Sequence, residues 1–413
     1  MASTDRDRIG IVGASSLAGK ELSDEVADSS LAAADLLLLD DDDAAGQLTS
    51  AGDEPALVRQ IEPSSFEGLD FVFFAGSPEL TRAHWQIARR AGASVVDETY
   101  ALEDEPDIPV RAPWVQPPAG AVEARRPDLN TPAVVPAHPV ALMLALTAVP
   151  LHDLFGLRSL SATVLEPASE HGRLAMDELH QQTVSLLSFQ PLPREVYDAQ
   201  VAFNILSALG PEAKVRLDEV ARRIGKHWAI LIGGALPELA LQVVHAPVFH
   251  GYAVSLLVEL SRPATITEVE HALGRDHVDL ISGTPRMSGA SGISGISGMS
   301  GTSGASEGQT DDQSEGQTEG QSDPPSNLSA AGQKDVLVQV TDARASAFPS
   351  PAPDPPTGQT SSQMPDQKSD RTPDQKSDRF WLWLAADNLR LAAANAISCA
   401  AELRRLRPQG KVQ

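Results

Sequence analysis

A short apolar strand runs into a glycine-bounded turn and a helix start in the segment Ile9-Gly10-Ile11-Val12-Gly13-Ala14-Ser15-Ser16-Leu17-Ala18-Gly19. Glycines at the two ends of such a turn allow a tight reversal, let backbone N–H groups approach a pyrophosphate and permit close packing of the helix on the strand. The sequence therefore predicts a nucleotide-binding turn. Its candidate cofactor-binding residues are Gly13, Ser15, Ser16, Leu17 and Gly19.

The rest of the first hundred residues alternates between strand and helix patterns. Strands are predicted over residues 34–39, 69–74 and 94–97, and helices over residues 20–27 and 78–91. Strands that alternate with helices at this spacing indicate a parallel, doubly wound α/β sheet. We therefore predict a Rossmann-like domain over residues 1–133.

Two positions bear on the choice of cofactor. Ser16 stands where a middle glycine would let the backbone approach the pyrophosphate most closely, and its side chain could either crowd that group or donate to it. The second strand ends in Asp40-Asp41-Asp42-Asp43, four carboxylates that would repel a 2′-phosphate, although one could accept from a 2′-hydroxyl group. The sequence argues against NADP and leaves NAD, or no cofactor.

Composition sets outer limits on function. The 413 residues predict two or three domains, and the formal charge of −24 disfavours binding to nucleic acid or to an anionic membrane surface. One cysteine excludes an intrachain disulfide, and no histidine spacing is typical of a metal site, so we expect no metal. The sequence shows no signal-peptide pattern and no apolar run long enough to span a membrane. We therefore expect a cytoplasmic location without membrane contact.

Low-complexity sequence interrupts the second half of the chain. Ser-Gly-X repeats run from Met287 to Ser306, and a seven-residue unit that begins at Pro365 recurs at Pro373. Such segments bury too little apolar surface to offset chain entropy, so disordered insertions are predicted at about 286–333 and 345–379. Between them, residues 335–340 alternate as in a strand.

A resemblance to a known family rests on the segment Val134-Val135-Pro136-Ala137-His138-Pro139-Val140, which an apolar, helix-like run to Leu151 follows. It resembles the nucleophile segment of the aspartate-semialdehyde dehydrogenases, where an Asn-Pro-Asn-Cys-Ser-Thr motif presents a thiolate at a helix start. Further landmarks occur in the family's order: Val95-Val96-Asp97-Glu98-Thr99, Ala175 to Leu179, Ala202 to Ile205, His245 to Tyr252, and Asp387 to Arg390.

The resemblance implies an architecture for the whole chain. After the Rossmann-like domain we expect an α+β substrate and dimerisation domain with a mixed sheet over residues 134–379, interrupted by the insertions. Residues 380–413 would supply a strand and a helix that packs back on the first domain. The resemblance also implies a homodimer.

The same resemblance places several departures at the family's active-site positions. His138 replaces the catalytic cysteine, and Tyr252 replaces the general-base histidine. Glu166 replaces the glutamine that positions the thioacyl group, whereas His245 and Glu103 replace two anion-binding arginines. Glu212 and Lys214 keep the spacing of a substrate-binding Glu-X-Lys pair, which is equally typical of a solvated helix turn.

Three functional hypotheses remain open from the sequence. In the first, the chain is a catalytically inactive homologue, retained as a dimeric scaffold or as the regulatory partner of an active homologue. In the second, it is an NAD(P)-dependent semialdehyde dehydrogenase or acyl-phosphate reductase with altered residues, for example His250 as a displaced base. In the third, the insertions recruit partners. Cys399, on the last helix, is expected to be a buried thiol rather than a replacement nucleophile.

Overall fold

A computed structural model describes most of the chain. The described residues are 7–32, 35–41, 44, 46–51, 54–122, 125–281, 324–344 and 375–406. Both predicted low-complexity insertions lie largely outside these ranges, as do Asp42 and Asp43 of the acidic run.

The first sheet contains seven strands, and every neighbouring pair in it is parallel. Its spatial order is β5-β2-β1-β6-β7-β9-β8. The strands are β1 (Arg8–Val12), β2 (Asp35–Asp40), β5 (Arg59–Gln60), β6 (Phe71–Phe74), β7 (Ser94–Asp97), β8 (Val110–Arg111) and β9 (Ala133–Pro136), while β3 (Leu48–Ala51) and β4 (Glu54–Leu57) form a separate hairpin. The predicted doubly wound arrangement is thereby confirmed.

Helices cover both faces of this sheet. Helix α1 (Leu17–Ala27) follows the turn, and α2 (Pro78–Arg90) begins with Ser77 as its cap and Pro78 in its first turn, a favourable start because proline has no N–H to satisfy. The C-terminal helix α7 (Asn388–Leu406) packs against α1 and β9. A core of α1, α7 and strand residues is therefore shared between the two ends of the chain.

The second sheet is mixed and has the order β11-β10-β12-β15-β14-β13. Its two outer pairs are parallel and its three inner pairs are antiparallel. The strands are β10 (Leu157–Glu166), β11 (Leu239–His245), β12 (Tyr252–Ala264), β13 (Val278–Leu280), β14 (Val336–Asp342) and β15 (Ser377–Ala386). The remaining helices are α3 (Pro139–Phe155), α4 (Gly172–Leu187), α5 (Leu217–Ile232) and α6 (Ile266–Leu273).

Helix α3 joins the two sheets and lies in the largest core. Residues 139–151 are all buried, in accord with a segment that is apolar on every face. Pro139 opens the helix, and Gly156, with φ of 69°, ends it. Strand β9 pairs with β7 at Ala133 and Val134 and with β8 at Val135 and Pro136, so the first sheet includes residues up to Pro136.

The segment that follows the first insertion is packed rather than free. Trp383 donates from Nε1 to the carbonyl of Pro325 at 3.0 Å, Asn327 donates to the carbonyl of His250, and Ala330 is buried. Strand β15 begins at Ser377, not at residue 380. The predicted insertion boundaries at residues 333 and 379 therefore extend too far, because composition does not register these anchoring contacts.

Candidate functional site

The turn after β1 brings the chain close to the end of β6. A Cβ atom added to Gly13 would collide with the backbone of Gly76, which explains why glycine is needed at this close approach. The hydroxyl of Ser16 accepts from the N–H of Gly19 at 2.8 Å and donates to the carbonyl of Ala75 at 2.7 Å. Ser16 thus caps α1 and joins it to β6. The hydroxyl group of Ser16 therefore makes both hydrogen bonds within the protein. From sequence we considered only whether it would crowd a pyrophosphate or donate to one.

Asp40 closes the turn from the neighbouring strand. Its Oδ2 accepts from the backbone N–H of Ser15 at 2.8 Å and from the hydroxyl of Ser15 at 2.6 Å, and its Oδ1 accepts from the N–H of Asp41. Asp40 is only 4% exposed. The carboxylate that would take a ribose hydroxyl is therefore already bonded within the protein.

A cavity of about 350 Å³ extends from the start of α1 to α5. The side chains that give it chemical character are polar or charged and come from both domains. They are Ser16, Glu98, Thr99, Tyr100, Ser169, Glu170, His171, Arg223 and Asn388. The N–H groups of Leu17 and Ala18, which begin α1 and also line the cavity, have no intrahelical acceptor.

His138 lies at the start of α3 with both ring nitrogens engaged. Nδ1 accepts from the N–H of Val140 at 3.2 Å, so that the neutral ring carries its proton on Nε2. Nε2 lies 3.2 Å from Oε1 of Glu170 and 3.5 Å from Oη of Tyr252. The structure therefore brings the predicted nucleophile and base positions together, but His138 is fully buried and no nitrogen lone pair is free.

A second imidazole, that of His227 in α5, binds the backbone of His138. Its Nδ1 accepts from the backbone N–H of His138 at 2.9 Å, and its Nε2 lies 3.0 Å from Oε2 of Glu103. Arg223 donates from Nε to the same carboxylate at 3.2 Å. Burial opposes ionisation of Glu103, but His227 and Arg223 outweigh it and lower its pKa to about 2. Glu103, predicted at an anion-binding position, instead holds cations of α5.

Tyr252 is poorly suited to act as a base. It is fully buried, and burial together with the nearby Glu170 and Glu166 carboxylates keeps its pKa well above the ordinary value. A phenol in this state keeps its proton near neutral pH and therefore cannot take one from a nucleophile.

Glu166 and His245 form a second buried group with His171. Glu166 Oε2 lies 3.1 Å from Nε2 of His171 and 3.7 Å from Nδ1 of His245, and both Glu166 and His245 are fully buried. Burial opposes ionisation of Glu166, yet His171 outweighs it and lowers the pKa of the carboxyl. Burial likewise opposes protonation of His171, but Glu166 outweighs it and raises the pKa of the imidazole.

Glu98, the residue after β7, faces the cavity as an acid without a cation nearby. Its Oε1 has no hydrogen-bond partner among the described residues. Burial, and then the adjacent Asp97, raise its pKa from 4.5 to about 8. Glu98 is therefore protonated at neutral pH.

Other predicted residues lie outside the cavity. Glu212 and Lys214 belong to the loop before α5, not to a helix, and neither lines the cavity, so the predicted substrate pair is not placed with the other site residues. His250 precedes β12 and does not line the cavity either. Cys399 is 1% exposed and burial raises its thiol pKa, in agreement with a buried thiol.

Sequence reasoning did not predict four residues of this region: Glu170, Arg223, His227, and His171, which was considered only as a metal ligand and rejected on spacing. Glu170 and His171 follow Glu166 closely, and the one available signal was this dense run of titratable side chains after a strand end. The other two lie in an amphipathic helix whose pattern, Arg222-Arg223-Ile224-Gly225-Lys226-His227, reads as an ordinary charged face.

The residues present only partly suit a dinucleotide. The free N–H groups at the start of α1 suit a pyrophosphate, because anions bind at helix N-termini. The bonded, buried Asp40 neither suits a 2′-phosphate nor offers a free acceptor to a ribose hydroxyl. Among the described residues, no group of three or more His, Cys, Asp or Glu side chains is placed to hold a metal ion. None of the described helices is long and apolar enough to cross a membrane.

Comparison with known proteins agrees with this two-domain arrangement. The model of the semialdehyde dehydrogenase NAD-binding domain matches residues 8–122, and that of the semialdehyde dehydrogenase dimerisation domain matches residues 149–295. A USG-1 protein homologue from Pseudomonas aeruginosa is 31% identical over 232 residues, which are 55% of this chain and 66% of that protein.

More distant relatives extend the likeness over both domains. The aspartate-semialdehyde dehydrogenase of Rickettsia bellii is 25% identical over 68% of this chain and 82% of its own length. The crystal structure of aspartate-semialdehyde dehydrogenase II from Vibrio cholerae, in complex with ASA, superposes with a TM-score of 0.70 at 20% identity, covering 97% of this chain and 99% of that one. By its two domain matches, its relatives and its fold, this chain belongs to the aspartate-semialdehyde dehydrogenase family.

Proposed function

We propose that this chain has lost the thioacyl chemistry of its family and is retained as a homodimeric scaffold or regulatory homologue. The observation that carries the proposal is the state of His138. An acyl-transfer nucleophile needs a free lone pair, whereas Nδ1 of His138 accepts from Val140 and Nε2 faces Glu170 and Tyr252.

The surrounding residues support the same conclusion. Tyr252 holds its proton, and Glu166, which the resemblance aligns with the family's acyl-positioning glutamine, is a buried carboxylate and not a neutral amide. Restoring one residue would leave the others altered. Because residues that act as a catalytic unit are strongly non-additive, we expect no single reversion to recover the reaction.

The test restores the nucleophile and base in steps. His138→Cys and the double variant His138→Cys/Tyr252→His would be assayed for phosphate-dependent oxidation of aspartate semialdehyde with NAD and with NADP. We expect the unaltered protein and the single variant to be inactive, with His138→Ala as the matched control. Turnover by the unaltered protein that His138→Ala abolishes would overturn the proposal.

For the cofactor, we propose that NADP is not bound and that NAD binds weakly or not at all. The Asp40 carboxylate repels a 2′-phosphate, and its bonds to Ser15 compete with a ribose hydroxyl. Calorimetry with each nucleotide tests this, with Asp40→Ser as the matched variant. Tight binding of NADP to the unaltered protein would contradict it.

For assembly, we propose a homodimer through the exposed apolar face beside α4. Leu174, Leu187, Phe189, Phe203 and Ile205 are each more than half exposed in this region, which is unusual for large apolar side chains so close together in sequence. They lie within the matched dimerisation domain. A Phe189→Asp/Phe203→Asp variant should sediment as a monomer, whereas Leu328→Asp, at an exposed leucine elsewhere, should not change the mass. A heteromer with an active homologue would use the same face.

The alternative function, an enzyme of the same family with altered catalytic residues, has one observation in its favour. Arg223 and His171 line the cavity, where their polar groups could contact a substrate. Oxidation of a semialdehyde by the unaltered protein, lost on replacing Arg223 but not His138, would favour this alternative.

A further inference from the structure

A polar segment before β14 is attached to the second sheet at its beginning. This segment, residues 324–335, is called the strap below. Trp383 of β15 donates from Nε1 to the carbonyl of Pro325 at 3.0 Å, and the amide of Asn327 donates to the carbonyl of His250 at 3.3 Å. One end of the strap is thereby fixed to the second domain, beside the start of β12.

The other end of the strap is attached to the helices of the first domain. Nζ of Lys334 lies 2.9 Å from Oε1 of Glu25, a buried residue of α1. The backbone N–H of Gly332 donates to Oδ2 of Asp387, the residue that precedes α7, at 2.9 Å. Helices α1 and α7 pack against each other and share a core with strands of the first sheet. The strap therefore crosses from one domain to the other.

The strap has little apolar surface with which to hold its position. Within it only Pro325 and Ala330 are buried, and Leu328 is 81% exposed. Ala330 packs on Leu337 and Ala385 in a small cluster apart from the main cores. Segments that bury few apolar side chains and depend on polar contacts open at a lower free energy than the whole protein. The strap is therefore expected to open before the domains that it joins.

The strap also contacts the residues that hold one wall of the cavity. A Cβ atom added to Gly251 would lie 2.9 Å from Cβ of Asn327, so the two backbones are in close contact. The N–H of Gly251 donates to Oδ1 of Asn388 at 3.0 Å, and the same oxygen accepts from the hydroxyl of Ser169 at 3.0 Å. The N–H of Ser169 donates in turn to the carbonyl of Phe249 at 2.9 Å. Ser169 and Asn388 line the cavity, which places them one contact away from the strap.

We infer that the strap is a conformational device that locks the two domains together beside the cavity and releases one cavity wall when it opens. When attached, it holds the start of β12 against α1 and α7. When it opens, Gly251 loses the packing of Asn327, and Asp387 loses its bond to Gly332. The wall formed by Ser169 and Asn388 is then held by fewer contacts. This inference concerns the chain's own contacts and holds whether or not the thioacyl reaction has been lost.

The first experiment loosens one end of the strap and observes the other. Hydrogen exchange measured by mass spectrometry would compare the unaltered protein with Asn327→Ala and Lys334→Met. Lys334→Met should speed exchange at least about tenfold in the peptides that contain Gly251 and Ser169, and Asn327→Ala should do the same for the peptide that contains Gly332. Lys376→Met is the matched control, because it breaks an exposed pair with Glu268 in the same domain and should leave all three peptides unchanged. Effects confined to the neighbours of each substituted residue would overturn the inference.

A second experiment needs no variant and so does not depend on how the variants fold. Native-state hydrogen exchange of the unaltered protein would be followed while denaturant is raised toward the unfolding transition. The amides of Gly332, Gly251 and Ser169 should merge into one opening event, at a denaturant concentration where the strands of the first sheet are still protected. Separate opening events for these three amides, or their protection until the whole protein unfolds, would each contradict a strap that opens as a unit.

Discussion

The backbone N–H of His138 donates to Nδ1 of His227 at 2.9 Å, so a side chain of α5 fixes the residue that begins α3. Glu103 holds the opposite nitrogen of His227 at 3.0 Å. The first domain, α3 and α5 are thereby joined through one imidazole. His138, where the resemblance predicts a nucleophile, is therefore fixed through its backbone by a side chain of α5.

Replacing His227 should destabilise the protein. His227→Ala leaves the His138 N–H and the Glu103 carboxylate without their partner in a buried region, and we expect a loss of about 2–4 kcal/mol in the free energy of unfolding. Denaturant unfolding measures it. His180→Ala, at an exposed histidine, should change stability by less than about 0.5 kcal/mol. Equal effects would show that the His227 contacts carry no stability.

The same histidine predicts a pH dependence. Burial lowers the pKa of His227 below 6.5, so the unfolded chain takes up this proton more readily than the folded one. Acidification therefore destabilises the folded protein. The free energy of unfolding is unaffected by His227 above pH 6.5, and it falls as the pH drops from 6.5 toward the pKa of His227 in the folded protein. Unfolding curves between pH 8 and pH 5 measure it, and a His227→Gln variant should lose stability less steeply in that window. A parallel slope in both proteins would contradict the assignment.

Glu98 predicts the opposite direction of change. Its folded pKa of about 8 exceeds the ordinary 4.5, so the favourable contribution is present below pH 4.5 and is lost as the pH rises toward 8. Glu98→Gln removes this loss. We expect the variant to become more stable than the unaltered protein by about 1–2 kcal/mol at pH 8, since one pKa unit is worth ~1.4 kcal/mol and water in the cavity reduces the effect. Identical stabilities at pH 8 would contradict it.

The packing of α7 against α1 should depend on Arg390. This side chain donates to Glu21 of α1 at 2.9 Å and to Asp28, the residue after α1, at 3.2 Å, and it lies 3.5 Å from the buried Glu25 of α1. Arg390→Ala leaves the Glu25 carboxylate with Lys334 alone, and we expect a loss of about 1–3 kcal/mol in the free energy of unfolding. Arg82→Ala breaks an exposed pair with Glu79 and should change stability by less than about 0.5 kcal/mol. The difference between the two variants is the measured quantity.

Two deletions should separate the insertion from the segment that follows it. Removing residues 288–318 spares every described residue, and we expect an unchanged melting temperature. Removing residues 288–333 also takes Pro325, Asn327 and Ala330 away from β12 and β15, and we expect a clear loss of stability. If the shorter deletion by itself abolished binding to a partner while the fold persisted, the recruitment hypothesis would gain support.

Much of the fold was predictable because it follows from local pattern. The strand before Gly13, the strand at residues 94–97 and the helix from Pro78 were placed correctly or within a residue or two, since apolar runs bounded by glycine and proline leave little choice. The meeting of His138 with Tyr252 followed from family resemblance, because no pattern in the chain links residues so far apart.

The chemistry of the site was less predictable because it depends on pairings across elements. Nothing local in the sequence distinguishes Arg223 from Arg222, yet one lines the cavity and the other does not. Asp40 was considered as a ligand for a nucleotide, and the bonds it makes with Ser15 become visible only when β2 and the turn are placed side by side. Side-chain partners of this kind are properties of the assembled sheet.

The packed segment after the first insertion restricts how this chain can change over generations. Repeats upstream of Pro324 can lengthen or shorten by slippage without removing an anchoring contact. A frame-preserving deletion that included Asn327 would instead expose Gly251, because Asn327 packs against Gly251, the residue before Tyr252. Length variation among lineages should therefore stop abruptly at this point, giving a sharp boundary between a freely drifting repeat and a segment under purifying selection.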